Sequence, residues 1–306
     1  MNGPNLFLIG GAKCGTTSMA SYLAGHPDIC WSEPKELWYF CRPDFPHRRR
    51  QSISLDDYLE HFSHCGSTHR YLAEGSVSYL YAEGAVSRIL EFNPDARFVV
   101  MLRNPMDAVV SLHRQMLMNM QESEADFERA WSLQEARRQG RHVPVKCENP
   151  KYLMYRDWCL WGRQLERVFR IAGRDRVCVL LFDDFVREPR HEYEKVLDFL
   201  GLDTDHRSEF PVENAARAYQ RQKFVNIIDY LLLYGSALRR RLKFSGRFNL
   251  LSTLLRQMKQ GQVTRLPKVQ LSRSMHEELA DAFRTDMVLL SRLLDRDLMH
   301  WLDYGQ

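Results

Sequence analysis

Nowhere in its 306 residues does the chain hold an apolar run long enough to span a bilayer. Its opening, Met1-Asn2-Gly3-Pro4-Asn5, lacks the charged n-region and long h-region of a secretory signal and passes straight into an apolar strand pattern. A cytoplasmic location is therefore expected. A strong excess of one charge is also missing. The formal net charge of +4 falls short of the dense basic stripe that nucleic-acid binding needs, although it suits an anionic ligand. No C-x-x-C pair occurs. The seven cysteines (Cys14, Cys30, Cys41, Cys65, Cys147, Cys159 and Cys178) are odd in number and widely spaced. They predict neither a zinc site nor a disulfide framework, but free thiols in a reducing compartment. Internal repeats and low-complexity linkers are absent. A chain that is 44% hydrophobic and 27% charged is ordinary for a globular protein and can bury a sizeable core, so one continuous domain over residues 1–306 is expected.

Against those absences stand three short apolar runs. Asn5-Leu6-Phe7-Leu8-Ile9-Gly10, Arg97-Phe98-Val99-Val100-Met101-Leu102 and Val177-Cys178-Val179-Leu180-Leu181-Phe182 read as buried strands. Helical patterns follow or separate them, at 18–24, about 106–120, 125–138, 152–172 and 192–200, the last closed by Gly201. Strands alternating with helices predict an α/β fold of three layers, a parallel sheet with helices on both faces. From Lys223 onward the pattern reads as entirely helical, which predicts a helical C-terminal extension with residues 212–268 as a less typical helical segment.

The strongest local signal is Gly10-Gly11-Ala12-Lys13-Cys14-Gly15-Thr16-Thr17, lying between a predicted strand and a predicted helix. Such a loop turns successive backbone N–H groups inward, and the helix start adds partial positive charge, so it suits a phosphate-like oxyanion. The spacing approaches the nucleotide-triphosphate loop G-x-x-x-x-G-K-[ST]. Here, however, Thr16 fills the lysine slot, the lysine is inside the loop at Lys13, and the second strand ends Leu102-Arg103-Asn104 without the magnesium-holding aspartate. The loop reads as built for an anion other than ATP–magnesium.

Lys13-x-Gly15-Thr16-Thr17 after an apolar strand resembles the 5′-phosphosulfate loop of sulfotransferases that use 3′-phosphoadenosine 5′-phosphosulfate (PAPS). The resemblance implies a P-loop-like fold in which Lys13, Cys14, Gly15, Thr16, Thr17 and Ser18 hold the 5′-phosphosulfate. It also implies that Lys13 contacts the oxygen bridging phosphorus and sulfur. That family recognises the 3′-phosphate with an arginine at a strand end and a serine eight residues on, and Arg103 and Ser111 stand at that spacing. Asn104 stands where an aspartate is more usual. Asn214, Arg217 and Arg221 are further candidates for the 3′-phosphate and adenine pocket.

Glu33-Pro34-Lys35-Glu36-Leu37-Trp38-Tyr39-Phe40 resembles the K-E-x-x-[FY]-F segment of the heparan-type glycan sulfotransferases and their bacterial relatives, which implies Glu36 as the general base. A carboxylate beside an apolar wall of Trp38, Tyr39 and Phe40 suits that task. Glu33 and His26 are its nearest rivals. Glu74-Gly75-Ser76-Val77-Ser78-Tyr79 is similar to that branch's E-K-[ST]-x-x-Y, with Gly75 where the motif carries lysine. Glu74 and Ser76 either line the site or hold the fold. Asp183 and Asp184 are read as fold markers and not as a metal pair. The expected reaction is sulfuryl transfer from PAPS, without a metal, to a hydroxyl or amine of a carbohydrate, glycoconjugate or other small acceptor. A nucleotide kinase and a non-catalytic PAP- or PAPS-binding protein are the alternatives. The basic apolar stretch near 224–243 could rest on a membrane surface or pack as an ordinary helix.

Overall fold

The computed structural model describes residues 3–46, 53–211, 217–219, 263–265 and 271–304. The three apolar runs form strands at Leu6–Gly10 (β1), Arg97–Leu102 (β4) and Val177–Leu181 (β5). Two further strands, Ile29–Trp31 (β2) and Tyr71–Glu74 (β3), complete a five-stranded sheet in the order β2-β3-β1-β4-β5. All four neighbouring pairs are parallel. Every residue of β1 is buried, as expected where helices cover both faces of a parallel sheet.

The helix after β1 is α1, Thr16–Ala24. The β2–β3 connection carries α2, Leu55–Glu60, and the β3–β4 connection carries α3, Ser78–Tyr81, and α4, Ala85–Phe92. After β4 comes α5, Pro105–Met118. Short helices α6 (Phe127–Ser132), α7 (Gln134–Arg138) and α8 (Tyr155–Trp158) precede α9, Trp161–Ala172. After β5 follow α10, Phe182–Arg187, and α11, Pro189–Leu200. The long closing helix is α12, Arg273–Leu294.

The closing segment supports the end of β4. Asp286 of α12 accepts hydrogen bonds from the backbone N–H groups of Gly162 and Arg163 at 2.8 and 2.9 Å, capping α9 from a distance in sequence. Trp161, the first residue of α9, donates its indole N–H to the Arg103 carbonyl at 2.9 Å. Asn104 caps α5 with its Oδ1, which accepts from Met106 N–H at 2.9 Å, while its Nδ2 donates to the Trp301 carbonyl at 2.8 Å. An aspartate could make the first bond but not the second. The departure at Asn104 thus has a local cause: this turn must give a hydrogen bond as well as accept one.

Two expectations need correction. Residues 212–268 are not uniformly helical. Arg217–Tyr219 (β6) and Val263–Arg265 (β7) form an antiparallel pair, with Arg217 opposite Arg265 and Tyr219 opposite Val263. Val263, Thr264 and Tyr219 are residue types that favour strands. The basic stretch near 224–243 lies outside the described residues. The second correction concerns the cysteines. Cys30 and Cys65, separated by 35 residues, form a disulfide, whereas Cys14, Cys41, Cys147, Cys159 and Cys178 are free and buried. Cys30 lies in β2 and Cys65 just before β3, so the pairing of those two strands draws the sulfurs together. No helix among the described residues is long and apolar enough to cross a membrane.

Candidate active site

The loop after β1 is shaped by two left-handed residues, Lys13 at φ 67° and Gly15 at φ 84°. Gly15 meets that conformation without steric penalty. Lys13 does not, and a non-glycine residue held there costs on the order of 1 kcal/mol or more, the kind of strain that collects at ligand sites. Gly15 is the N-cap of α1 and makes no side-chain cap, which leaves the first N–H groups of the helix available to an anion.

Lys13 Nζ donates to Gln115 Oε1 at 3.1 Å. Gln115 is one helical turn beyond Ser111 on α5, so a single helix carries Ser111 and the partner of the loop lysine. Burial, and then the Arg103 guanidinium, hold the Lys13 ammonium below the usual lysine range, while Glu36 pulls it the other way. Lys13, Arg103 and Glu36, which lie far apart in sequence, therefore share one electrostatic neighbourhood. Arg103 pairs with Asp107 at 2.9 Å, and its guanidinium carbon lies 4.6 Å from the centre of the Phe182 ring. A Cβ built on Gly15 would meet the same ring at 3.1 Å. Phe182, at the start of α10, thus forms a floor shared by the loop and the arginine.

Not every loop residue faces the site. The Cys14 side chain is fully buried, its Sγ donates to the Ala12 carbonyl at 3.4 Å, and burial pushes its thiol up to about 12. It is a packing group, so the expectation that Cys14 binds cofactor fails for its side chain. Thr16 and Ser18 are mostly buried, and Thr17 is half-buried. Asn214 and Arg221 lie outside the described residues. The backbone of Arg217 is in β6, which runs against α5, but its side chain falls outside them too.

Glu36 is in the loop after β2, with Lys35 Nζ 3.2 Å from its Oε1; the two side chains are 22% and 25% exposed, so both are partly open to solvent. Of its rivals, His26 is buried and structural. Its Nδ1 accepts from Asp28 N–H at 3.1 Å and its Nε2 meets the Asp203 carbonyl at 3.0 Å, which leaves no ring nitrogen for an acceptor. Glu33 is exposed. The apolar wall is narrower than expected, because Phe40 is a core residue packed on Phe7 and Tyr58.

The motif at 74–79 proves to be a clamp on the Glu36 loop. Glu74 and Ser76 are fully buried. Ser76 Oγ accepts from Leu37 N–H at 3.1 Å and Trp38 N–H at 2.9 Å. Tyr79 OH accepts from Phe40 N–H at 3.3 Å. Glu74 ties them together, accepting from Ser76 at 2.5 Å, Tyr79 at 2.8 Å, Tyr58 at 2.7 Å and Leu37 N–H at 3.3 Å. Burial raises the Glu74 carboxyl above the usual range, against the pull of these donors. Glu74 and Ser76 thus hold the fold and are closed off from solvent. Asp183 and Asp184 are also structural: Asp183 accepts from Trp301 Nε1 at 2.8 Å, and Asp184 pairs with Arg187 and Arg296.

Sequence reasoning missed Gln115, Phe182 and Tyr58. Only Gln115 left a trace, its four-residue spacing from Ser111.

A family model described as the sulfotransferase family matches residues 51–206, half of the chain. The chain belongs to that family. A crystal structure of a sulfotransferase from Alicyclobacillus acidocaldarius superposes with a TM-score of 0.70 at 26% identity, covering 98% of this chain and 99% of that one. Among curated relatives, the membrane-associated sulfotransferase kil1 of Dictyostelium discoideum is 27% identical over 110 residues, 35% of this chain and 22% of its own length. Bifunctional heparan sulfate N-deacetylase/N-sulfotransferase 1 of Xenopus laevis is 24% identical over 204 residues, 65% of this chain and 22% of its own length. The chain spans about a fifth of the length of these curated relatives.

Proposed function

We propose that this chain transfers a sulfuryl group from PAPS to a hydroxyl or amine of an acceptor, with Glu36 as the base, and that the acceptor is a carbohydrate or glycoconjugate. The observation that carries the reading is the uncapped start of α1 with Lys13 and Arg103 beside it and Glu36 in the same electrostatic neighbourhood. The N–H groups of Thr16 and Thr17 suit the 5′-phosphosulfate. The planar fork of Arg103, with Ser111 two helical turns along α5, suits the 3′-phosphate.

In the proposed reaction the acceptor oxygen or nitrogen loses its proton to the Glu36 carboxylate and forms a bond to sulfur. The bond from sulfur to the phosphate oxygen breaks, and PAP leaves with that oxygen. Lys13 faces the oxygen on which negative charge grows. Such stabilisation strengthens toward the transition state and so accelerates the reaction. The heparan sulfate relative supports a glycan acceptor, as does the placement of Glu36. A nucleotide kinase is disfavoured because Thr16 stands in the lysine slot of the loop. For location, a disulfide persists in oxidising compartments. The Cys30–Cys65 bond therefore supports such a compartment over the cytoplasm expected from the sequence.

Calorimetric titration with PAP, and with ATP–magnesium in parallel, tests the reading. PAP is expected to bind without metal, and Arg103→Ala to weaken it about 10- to 100-fold, the worth of a lost charge-assisted phosphate contact. Glu36→Gln should keep PAP affinity and lose about 100- to 10,000-fold in turnover. Preference for ATP–magnesium would return the loop to phosphoryl transfer. Full turnover in Glu36→Gln would remove the base.

A further inference from the structure

The two sulfurs of the Cys30–Cys65 bond have a third donor beside them. A ring nitrogen of His64 and the sulfurs all lie within 4.8 Å of one another, with His64 Nε2 3.9 Å from Cys65 Sγ. Two thiolates and an imidazole are a ligand set that suits zinc. In a tetrahedral site with bonds of about 2.0–2.3 Å, neighbouring ligand atoms stand about 3.5–3.8 Å apart, so His64 and Cys65 already lie close to one edge of that tetrahedron. The S–S bond is not all that brings these residues together. Strand β2 is at the edge of the sheet, and the segment after α2 is tied to β2 and its continuation by hydrogen bonds of its own. His64 Nε2 donates to the Trp31 carbonyl at 3.1 Å, His61 Nδ1 to the Glu33 carbonyl at 2.7 Å, and Glu33 N–H to the His61 carbonyl at 3.3 Å. On its other side Cys30 is held in register with Leu72 of β3. The two cysteines therefore stay neighbours when the bond between them is cut. Both are buried, whereas His64 is exposed.

We infer that Cys30, His64 and Cys65 form a zinc site in the reduced chain, so that this edge of the sheet is closed by a disulfide under oxidising conditions and by a metal ion under reducing ones. A dithiol reductant supplies two electrons and two protons. The S–S bond breaks, the reductant becomes its own disulfide, and Cys30 and Cys65 end as thiols. Zinc then replaces the two thiol protons and binds the neutral imidazole. His64 Nε2 gives up the Trp31 carbonyl to do so, and the ring proton sits on Nδ1. Because His64 is exposed, that exchange moves a surface side chain and leaves the core as it is. Three positions of the tetrahedron are filled by the chain and the fourth falls to solvent. Cys30 is followed directly by Trp31, Ser32 and the loop that carries Glu36, so either link, covalent or metallic, anchors the start of that loop.

The test is titration of the full chain with cobalt(II), a spectroscopic stand-in for zinc, in the oxidised state and after reduction by a dithiol that is then removed under inert gas. The reduced wild type is expected to bind one ion, with the d–d bands of a tetrahedral site and a thiolate-to-cobalt charge-transfer band, and added zinc to bleach both. The oxidised wild type should show neither. Zinc should raise the melting temperature of the reduced chain and not of the oxidised one. His64→Ala changes an exposed residue and keeps the disulfide. It should weaken binding at least about tenfold, since losing even the partner of a metal ligand costs that much. Cys30→Ser/Cys65→Ser should abolish the bands although five buried cysteines remain. Should that double variant fail to fold, the two redox states of the wild type and His64→Ala decide the matter. A reduced wild type without the charge-transfer band overturns the inference. So does the same band in the oxidised chain or the double variant, which would place the thiolates elsewhere, and so does unchanged affinity in His64→Ala.

Discussion

Removing the Glu74 carboxylate tests whether the 74–79 motif is the clamp that the structure shows. In Glu74→Ala the hydroxyl protons of Ser76, Tyr79 and Tyr58 lose their acceptor. Leu37 N–H keeps Ser76 Oγ. An unsatisfied buried donor costs about 1–3 kcal/mol, and water entering the space left by the side chain offsets part of it. The expected loss is therefore about 3–5 kcal/mol, large for one substitution. Urea denaturation reads it as a fall in midpoint at unchanged slope. Glu74→Gln keeps one acceptor oxygen, and its amide can donate to Tyr58, so about 1 kcal/mol is expected. The two variants also separate by pH. Burial raises the Glu74 carboxyl in the folded state, so the folded protein holds this proton more tightly than the unfolded chain. The associated stability is present below the ordinary carboxylate range and is lost as pH rises through the raised value. Glutamine does not titrate, so wild-type stability minus Glu74→Gln stability should fall as pH rises across that window. A Glu74→Ala loss below about 1 kcal/mol would refute the clamp, and a difference that grows with pH would refute the burial argument.

Two other predictions follow from the supports of the site. Asn104→Asp keeps the α5 cap but places a carboxylate against the Trp301 carbonyl; it should lose about 1–3 kcal/mol, read by thermal denaturation, and weaken PAP binding through the adjacent Arg103. Reducing the Cys30–Cys65 bond, which closes a loop of 35 residues, should cost about 4 kcal/mol by loop-closure entropy. Melting with and without reductant checks this, and Cys30→Ser/Cys65→Ser should match the reduced wild type.

Strands β1, β4 and β5 could be read from sequence because strands buried on both faces are continuous apolar runs. β2 and β3 could not: β2 has three residues, and β3 ends in a glutamate whose burial depends on tyrosines at 58 and 79. Lys13, Arg103 and Glu36 could be singled out from sequence because each sits in a motif with fixed local spacing. Phe182 and Tyr58 act only through tertiary contact. The disulfide was missed for the same reason, since nothing in the spacing of Cys30 and Cys65 reveals that β2 pairs with β3.

The motif at 74–79 shows how such contacts divide one segment into two functions. Where an extended chain leaves a strand, successive residues face opposite sides. Glu74 and Ser76 turn to the backbone of Leu37 and Trp38, while residue 75 turns to Trp31 and Lys35. The even positions hold the loop that carries Glu36. The odd position decides whether a side chain or the Lys35 ammonium fills the space beside it. A glycine at 75 therefore leaves the clamp intact while letting Trp31 and Lys35 pack against the backbone.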